Sequence, residues 1–487
     1  MLAFALLVGG CGRIGYDLLQ PAGDGGGCGG VDAGEMDSGE AALDATGPDA
    51  GEADGGVLSP GLHMESIIVL GDTGDANAEG LSILADGTIV LGGDYIGELD
   101  LGGGPLPVAG GADIFMAAFS SEGAHLWSRG WGRSGSDSFD ALHTDDLGIT
   151  FIVHAQGAID FGLGPITPLG GDDYLVIQLD TGGGTSWVTN LGTPGDEDGP
   201  AHIVSNGDGE WWAALNFEGT AAYAPGAPVA VGGDDAIVVT LATGGVVTGA
   251  VTVGSSVLDI ATAVDRSTAN DIVFGGVVSG DVDLGVGITS ARGGADGFVI
   301  LRASDGATRW AARFGGPGAD RITSVAFAPD GSVWIAGDFE GAADLGGVPR
   351  TSTGGLDLFL QRRLPTGEPA ATVHITGAGG GETEEVVVDR EGRACLTGTF
   401  ADGTDFGEGP VAAMAGDGFV ACYGPDGGLL GLFTFGGPGL DEAEGLALDA
   451  TGHFWISGDV RDTATAGDHT IISRGGADMI IVRLSLF

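Results

Sequence analysis

The chain has 487 residues, of which 43% are hydrophobic, and its 17 basic and 68 acidic side chains give a formal net charge of −51. A field of that sign repels phosphate backbones and anionic lipid surfaces, so we expect no nucleic-acid partner and no direct membrane contact by the protein surface. Glycine and β-branched residues are abundant and helical periodicity is missing, which predicts an all-β fold with almost no helix.

The chain starts with a short apolar run over residues 2–8, followed by Gly9, Gly10 and Cys11. Small residues directly before a cysteine resemble the lipobox of bacterial lipoproteins. The resemblance implies that residues 1–10 are a lipoprotein signal peptide and that a lipid is attached to the sulfur of Cys11. The alternative is an ordinary apolar N-terminus. No other segment holds the roughly 18 consecutive apolar residues of a membrane span, so the lipid would be the only anchor.

The residues after the predicted cleavage site are dominated by small and acidic side chains. From Gly23 to Gly56 the segment consists mainly of Gly, Ala, Asp and Glu and contains no basic residue. Such a composition buries too little apolar surface to offset the entropy of ordering, and like charges extend the chain. Residues 11–60 are therefore predicted to be the lipidated cysteine and an acidic disordered tether. Capture of a cation or partner by the acidic run is the alternative.

Two markers recur along the rest of the chain with a period of about 61 residues. The first is a small-residue run, Gly-Gly-x-Asp in its commonest form, that precedes an apolar strand and ends at Asp113, Asp173, Asp235, Asp296, Asp357, Asp417 and Asp478. The second follows a small-residue loop and ends at Asp75, Asp137, Asp196, Asp259, Asp320, Glu382 and Asp441. Residues 61–487 are therefore predicted to be a tandem array that forms a single domain.

The fifth repeat shows the predicted elements most clearly. Apolar strands are expected over residues 322–328 and 333–339, joined by a turn containing Asp330 and Gly331. A glycine-rich connection leads to a third strand over 356–363, and a fourth follows over 370–376. Four antiparallel strands of this kind form one blade of a β-propeller.

The run that ends in Gly318, Ala319 and Asp320, the turn at Gly331 and the strand that ends at Gly337 together resemble the SBBP family, the seven-bladed β-propeller repeats of bacterial surface proteins. The resemblance extends from about residue 61 to the end of the chain. It implies an architecture and no shared catalytic motif. The expected fold is a single seven-bladed β-propeller of four-stranded antiparallel blades.

The seventh repeat ends after its third strand, over residues 479–486, and lacks a fourth. A strand over residues 64–70, followed by Asp75, matches the segment that ends every other repeat. We expect this N-terminal strand to complete the last blade and to close the ring, because pairing removes two exposed sheet edges.

The second marker is a candidate metal site, since carboxylates that ring a channel mouth can bind Ca²⁺. The competing prediction is that each Asp accepts backbone N–H bonds in its own loop. No cofactor other than Ca²⁺ is indicated. Further carboxylates are expected farther out on the same face, at Asp100, Asp160, Asp283, Asp344 and Asp405.

Few other side chains suggest chemistry. Trp211 lies beside Trp212, and strand alternation places it on the opposite face, so it is a candidate for stacking on a sugar or peptide. His154 and His202 are the best candidates for acid–base work, although no catalytic motif accompanies them. Cys395 and Cys422 fall on neighbouring strands, and we expect two buried thiols rather than a disulfide.

The sequence therefore favours a non-enzymatic binding or scaffold protein, monomeric and tethered at the bacterial cell envelope as an outer-membrane lipoprotein or secreted. Its partner would be an extracellular protein or glycan. Two alternatives stay open. One is a polysaccharide-active hydrolase or lyase that uses acidic loop residues. The other is a Ca²⁺-stabilised structural protein of the envelope.

Overall fold

The computed structural model describes residues 61–487 apart from Asp196 and Asp198, and the regular secondary structure in that part is entirely β. The strands form antiparallel sets of four, which we number in chain order. Set 1 contains β2 (Asp75–Ile83), β3 (Ile89–Ile96), β4 (Asp113–Phe119) and β5 (His125–Trp131). Set 2 contains β6 (Asp137–Asp145), β7 (Gly148–Ala155), β8 (Asp173–Leu179) and β9 (Thr185–Asn190).

The middle of the chain repeats this arrangement. Set 3 contains β10 (His202–Ser205), β11 (Glu210–Phe217), β12 (Asp235–Ala242) and β13 (Val246–Val253). Set 4 contains β14 (Asp259–Arg266), β15 (Ile272–Val278), β18 (Asp296–Arg302) and β19 (Thr308–Gly315). Set 5 contains β20 (Asp320–Phe327), β21 (Val333–Leu345), β22 (Pro349–Arg363) and β23 (Pro369–Ile375).

Two further sets follow. Set 6 contains β24 (Gly381–Val388), β25 (Ala394–Phe400), β28 (Asp417–Tyr423) and β29 (Leu429–Gly436). Set 7 contains β30 (Glu442–Leu448), β31 (Phe454–Ala466), β32 (His469–Leu486) and β1 (Leu62–Leu70). Short ribbons lie between the second and third strands of sets 4 and 6: β16 (Val282–Asp283) with β17 (Ile288–Thr289), and β26 (Thr404–Asp405) with β27 (Pro410–Val411). Among the described residues, no helix has the length and apolarity needed to cross a bilayer.

The strand predicted over residues 64–70 lies antiparallel to β32, with Leu70 opposite Met479 and Met64 opposite Leu484. The fourth strand of set 7 thus comes from the start of the described chain. A second finding differs from the expectation of separate four-stranded blades. Sets 4 and 5 join into an eight-stranded sheet, as do sets 6 and 7, because β21 and β31 extend into the connections after them and pair with the preceding fourth strand.

The apolar core is divided between consecutive sets. Seven clusters of buried side chains occur in the described chain, and each lies between two neighbouring sets, including one that joins set 7 to set 1. The first strands contact one another in the cyclic order β2, β6, β10, β14, β20, β24, β30 and again β2. Third strands such as β4 are buried along their whole length, and β4 is apolar after Asp113, because neighbouring sets cover both of their faces.

The tryptophans and cysteines clarify the packing. Trp212, Trp334 and Trp455 are buried at one second-strand position and belong to the core between neighbouring sets. Cys395 and Cys422 lie opposite each other on β25 and β28 and form a disulfide, so the expectation of free thiols was wrong. Paired positions on adjacent strands bring the two Cα atoms within 4.0 Å, a separation that the sequence spacing does not reveal.

Glycines in the turns between third and fourth strands receive the indoles of the preceding set. Trp127 packs on Gly183, Trp187 on Gly245 and Trp310 on Gly367. Each of these glycines has a positive φ, and a side chain there would meet the indole. This contact explains why tryptophan recurs near the start of fourth strands.

Replacing Gly367 by alanine is expected to lower the unfolding free energy by about 2–4 kcal/mol, because the new Cβ would lie 2.8 Å from Trp310 Cγ in addition to the cost of a positive φ. Gly403 has a similar φ of 82° and no heavy atom within 4 Å of the same Cβ position. Gly403→Ala is the matched control and should cost about 1 kcal/mol. Equal losses in denaturant melts of the two variants would contradict the indole contact.

Candidate functional site

A buried carboxylate occupies one third-strand position in every described set. It is the first residue of β4, β8, β12, β18 and β28, and it lies inside the longer β22 and β32 as Asp357 and Asp478. The relative exposure of these side chains is 9% or less, and they accept backbone N–H bonds from the residues that precede them. The bond from Ala109 N to Asp113 Oδ2 is 2.7 Å, and that from Arg292 N to Asp296 Oδ2 is 2.8 Å. These Asp side chains therefore replace the backbone partners that a tight loop cannot supply.

The carboxylates of the second predicted series lie at the start of the first strands, and they too accept backbone N–H bonds or pair with a cation. Gly316 N donates to Asp320 over 2.7 Å, and Gly437 N donates to Asp441 over 2.7 Å. Asp259 accepts from Ser255 N and Ser279 N, while Asp137 pairs with Arg133. Asp75 accepts from Ala477 N over 2.7 Å. Each of these carboxylates thus accepts a backbone N–H bond or pairs with a cation, and Asp75 does so across the junction with set 7. The proposal that the series binds Ca²⁺ stays a prediction.

One described member of the predicted metal series, Glu382, does not occupy the shared position. In set 6 that position belongs to Gly381, which lies opposite Phe400 as Asp320 lies opposite Phe339. Glu382 is one residue further on, and its carboxylate pairs with Arg321 at 3.0 Å. Asp196 lies outside the described residues, and Glu197 accepts the equivalent bond from Thr193 N at 3.0 Å.

Burial controls the protonation of several of these side chains. It raises the pKa of Asp320 to about 7, an effect to which Asp296 and Asp338 add. Burial also raises the pKa of Asp137 and of Asp441 to about 6, against the bonds that each carboxylate accepts. In each case the desolvation of the charged form outweighs the hydrogen bonds, so these groups favour protonation in the folded state.

Three other carboxylates lie close together between β30 and β31. Ligand atoms of Glu442, Glu444 and Asp459 all lie within 4.8 Å of one another. Asp459 Oδ1 accepts the N–H of Ala78 from set 1, which ties this cluster to the interface between the two sets. Acidic clusters are common in a chain with 68 acidic residues, and this geometry does not by itself define a metal site.

The two histidine candidates lie in different surroundings. His154 Nδ1 lies 2.9 Å from Asp140 Oδ2 and 3.5 Å from Ser138 Oγ, and the centroid of its ring lies 4.4 Å from that of Tyr174. Its acid–base role stays a prediction. Burial lowers the pKa of His202 to about 4, which keeps its imidazole neutral at physiological pH.

The candidate ligand-stacking residue, Trp211, is a core residue in this structure. It is 1% exposed and makes an edge contact with Trp187, with ring centroids 5.6 Å apart. Alternation does separate it from Trp212, as the sequence suggested. Both faces of β11 are nevertheless covered, one by set 2 and the other by set 4, so neither indole has an open face.

An open groove of about 430 Å³ lies between β5 of set 1 and the loops of set 2. It is lined by Arg129, Trp131, Asp160, Phe161, Gly162, Gly183, Gly184 and Thr185. Sequence reasoning missed this groove because no motif marks Arg129 or Trp131 and the facing residues come from the next repeat. The signal that could have found it is the departure of Arg129 and Trp131 from the residues at the same places in other repeats.

A second cavity of about 320 Å³ lies between sets 6 and 7, at the turns that join their first and second strands. Its charged side chains pair with one another: Arg393 with Asp389, Arg390 with Glu391, and His453 with Asp449. These ion pairs neutralise one another within the cavity.

No protein-family model matches the chain, and no curated protein matches it. Among solved structures, the chain is similar to a protein of unknown function from Dyadobacter fermentans DSM 18053, with 12% identity and a TM-score of 0.45 over 88% of this chain and 100% of that one. It is also similar to YCF48 bound to D1 peptide, with 12% identity and a TM-score of 0.40 over 88% and 95% of the two chains. Similarity at these TM-scores carries no argument about function.

The raised pKa values predict that stability falls as pH rises from about 4 to about 7. Over that range the folded state holds protons that the unfolded chain has released, so each increase in pH favours unfolding. Asp320, with a folded pKa of about 7 against an ordinary 3.8, contributes on the order of a few kcal/mol to this decline.

Asp320→Asn is expected to reduce the difference between unfolding free energies measured at pH 5 and pH 8. Asp100→Asn is the control, because Asp100 is an exposed carboxylate that also accepts backbone N–H bonds, from Gly102 and Gly104. If both variants retain the full pH dependence of the native chain, Asp320 is not a buried, proton-retaining group.

Proposed function

We propose that the chain is a single seven-bladed β-propeller of the SBBP repeat type that acts as a non-enzymatic binding module on the bacterial cell surface. The seven interface clusters and the cyclic contacts of the first strands support a closed ring in which each set is one blade. Pairing of β1 with β32 supports closure by the N-terminal strand. A ring closed in this way folds and functions as a monomer.

The observation that carries the binding role is the distribution of exposed apolar side chains. The connections between second and third strands, together with the early part of β32, hold large apolar residues that are 54% to 77% exposed: Val108, Leu163, Leu169, Val229, Val231, Val286, Ile288, Met414 and, on β32, Ile472. Single exposed apolar residues are ordinary, but a series of them on equivalent connections favours a contact surface for a partner. These connections all leave the same ends of the second strands, so one side of the ring would present them.

The disulfide supports a location outside the cytoplasm. Disulfides such as that between Cys395 and Cys422 persist in oxidising compartments and are rare in the reducing cytosol. Together with the lipobox-like sequence before Cys11, this favours an envelope protein held by a lipid at its N-terminus. Residues 11–60 would then be the spacer between the lipid and the propeller.

The proposal is tested on intact cells with the full-length chain carrying a photo-cross-linking residue in place of Leu169. An adduct with one discrete envelope component is expected, because Leu169 is 67% exposed on the proposed binding side. The same residue in place of Leu147, which is 45% exposed in a turn at the other end of the second strands, is the matched control and should give no such adduct.

The anchoring is read in the same cells with a radiolabelled fatty acid. Cys11→Ala should abolish labelling and release the protein from the membrane fraction, whereas Cys28→Ala should do neither. Equal adducts from the two cross-linking positions would contradict the binding side, and an unlabelled native chain would contradict the lipid anchor.

A further inference from the structure

The outer strand of set 1 presents an unusual row of side chains to set 2. Trp127, Arg129 and Trp131 alternate along β5 and therefore share one face of the strand. Trp127 Nε1 donates to the carbonyl of Thr181 over 3.0 Å, and the Trp131 ring lies 5.4 Å from that of Phe161. Both partners belong to set 2, so this face of β5 forms one wall of the groove.

The other sets show what these positions normally hold. Trp131 lies opposite the residue that follows the buried third-strand aspartate, and the equivalent residues are Leu70, Leu191, Val253, Phe314, Ile375 and Phe435. Most of these side chains are buried. The equivalents of Arg129 are Ile68, Thr189, Val251, Ala312, Val373 and Phe433. Set 1 alone among the described sets places a charge here, next to a partly exposed indole.

The facing wall of the groove contains Gly162 and Gly184, which add no side chains. Trp131 is half-buried: its ring stacks on Phe151 with centroids 5.9 Å apart and packs on Phe161, and the rest of the indole borders the groove.

Asp160 lies at the rim, where its Oδ1 accepts the N–H groups of Gly162 at 2.7 Å and Gly164 at 2.9 Å. These bonds hold the carboxylate in place in its loop.

The guanidinium of Arg129 is exposed at the groove. It lies over the indole of Trp127, 5.8 Å from the ring centroid, and its Nη1 donates to the carbonyl of Ser128 over 2.9 Å. Within the described part of the chain it forms no ion pair, so its remaining N–H groups face the groove mouth and solvent. Its guanidinium donates in a planar fork that matches a carboxylate.

We propose that this groove binds a saccharide that carries a carboxylate, such as a uronic acid unit, an assignment that names the ligand class of the binding module proposed above and rests on it. Trp131 would stack on the C–H face of the sugar ring, while Arg129 donates to its carboxylate and Asp160 accepts from its hydroxyl groups. A volume of about 430 Å³ falls in the usual range of small-ligand sites. An aromatic wall with one donor and one acceptor suits a sugar better than an extended peptide, which needs a row of backbone partners.

The experiment is calorimetric titration of the full-length chain with an oligogalacturonate and with the same oligosaccharide after methyl esterification of its carboxylates. The acidic form should bind, and the esterified form should bind about tenfold more weakly or not at all, because esterification removes the charge that Arg129 pairs with. Arg129→Gln should weaken binding of the acidic form about tenfold and leave the esterified form unchanged. Arg390→Gln, at an exposed arginine of the other cavity, is the matched control and should change neither.

Trp131→Ala should remove binding of both forms, and its folding is checked by its melting temperature. Arg129→Gln keeps the test independent of packing, since Arg129 is exposed. Equal binding of the two oligosaccharides, no binding by the native chain, or native affinity in both groove variants would each overturn the inference. An adduct from Leu169 on cells together with no saccharide binding would reject the groove alone. Loss of both would reject the binding module as well.

Discussion

Each four-stranded set of this protein has two apolar faces, and both must be covered. A sheet in the middle of a stack has two neighbours, but the ends of an open stack have only one, which would leave a full apolar face in water. In the described chain, a cluster between set 7 and set 1 contains Leu81 and Phe115 on one side and Trp455 and Ile481 on the other, and this contact supports the proposed closed ring. The strand that completes set 7 contributes to this cluster through Ile68 and Leu70. The same N-terminal strand therefore completes set 7 and helps to cover the apolar face between set 7 and set 1.

The loops between the strands create a second demand, which the acidic side chains meet. Tight glycine-rich loops leave backbone N–H groups without backbone partners. The buried third-strand Asp accepts hydrogen bonds from these groups in set after set. Placing a carboxylate in such a position costs solvation, which the raised pKa of Asp320 records. The large negative charge of the chain is therefore partly structural. It is not an indication of metal binding in itself, and the expectation of a Ca²⁺ ring remains a prediction.

Much of the fold was predictable because a period of 61 residues reveals strands through repetition. The strand over 64–70 could be placed beside β32 from sequence alone, since every other repeat ends with the same segment. Register was less accessible: Glu382 and Asp196 were aligned by spacing, whereas the shared position belongs to Gly381 and Glu197. An insertion of one residue in a loop shifts the count without changing the strand.

The candidate site was harder to predict than the fold. Trp211 looked exposed because a doubled tryptophan breaks the repeat pattern, but a strand covered on both faces buries both residues. No pattern in the sequence singles out Trp131. Its difference from the other repeats appears only when strand register shows which residues occupy the equivalent position there. The groove also depends on glycines of set 2, and no local pattern in β5 predicts them. The candidate site consists of residues that depart from the repeat. These departures become visible only when equivalent strands are aligned by their register.

The closed ring is tested most directly by removing the strand that completes it. Deleting residues 61–70 withdraws Leu62, Met64, Ile67, Ile68, Val69 and Leu70 from two apolar clusters. These side chains are partly buried, so each contributes less than the figure of about 1.5–3 kcal/mol for a fully buried one. Six of them together with the backbone pairing of β1 nevertheless form a large share of the stability of a typical domain. We predict a fall of the melting temperature by tens of degrees or aggregation, while deletion of residues 41–50 leaves melting unchanged. A melting temperature equal to that of the intact chain after deletion of 61–70 would contradict the account.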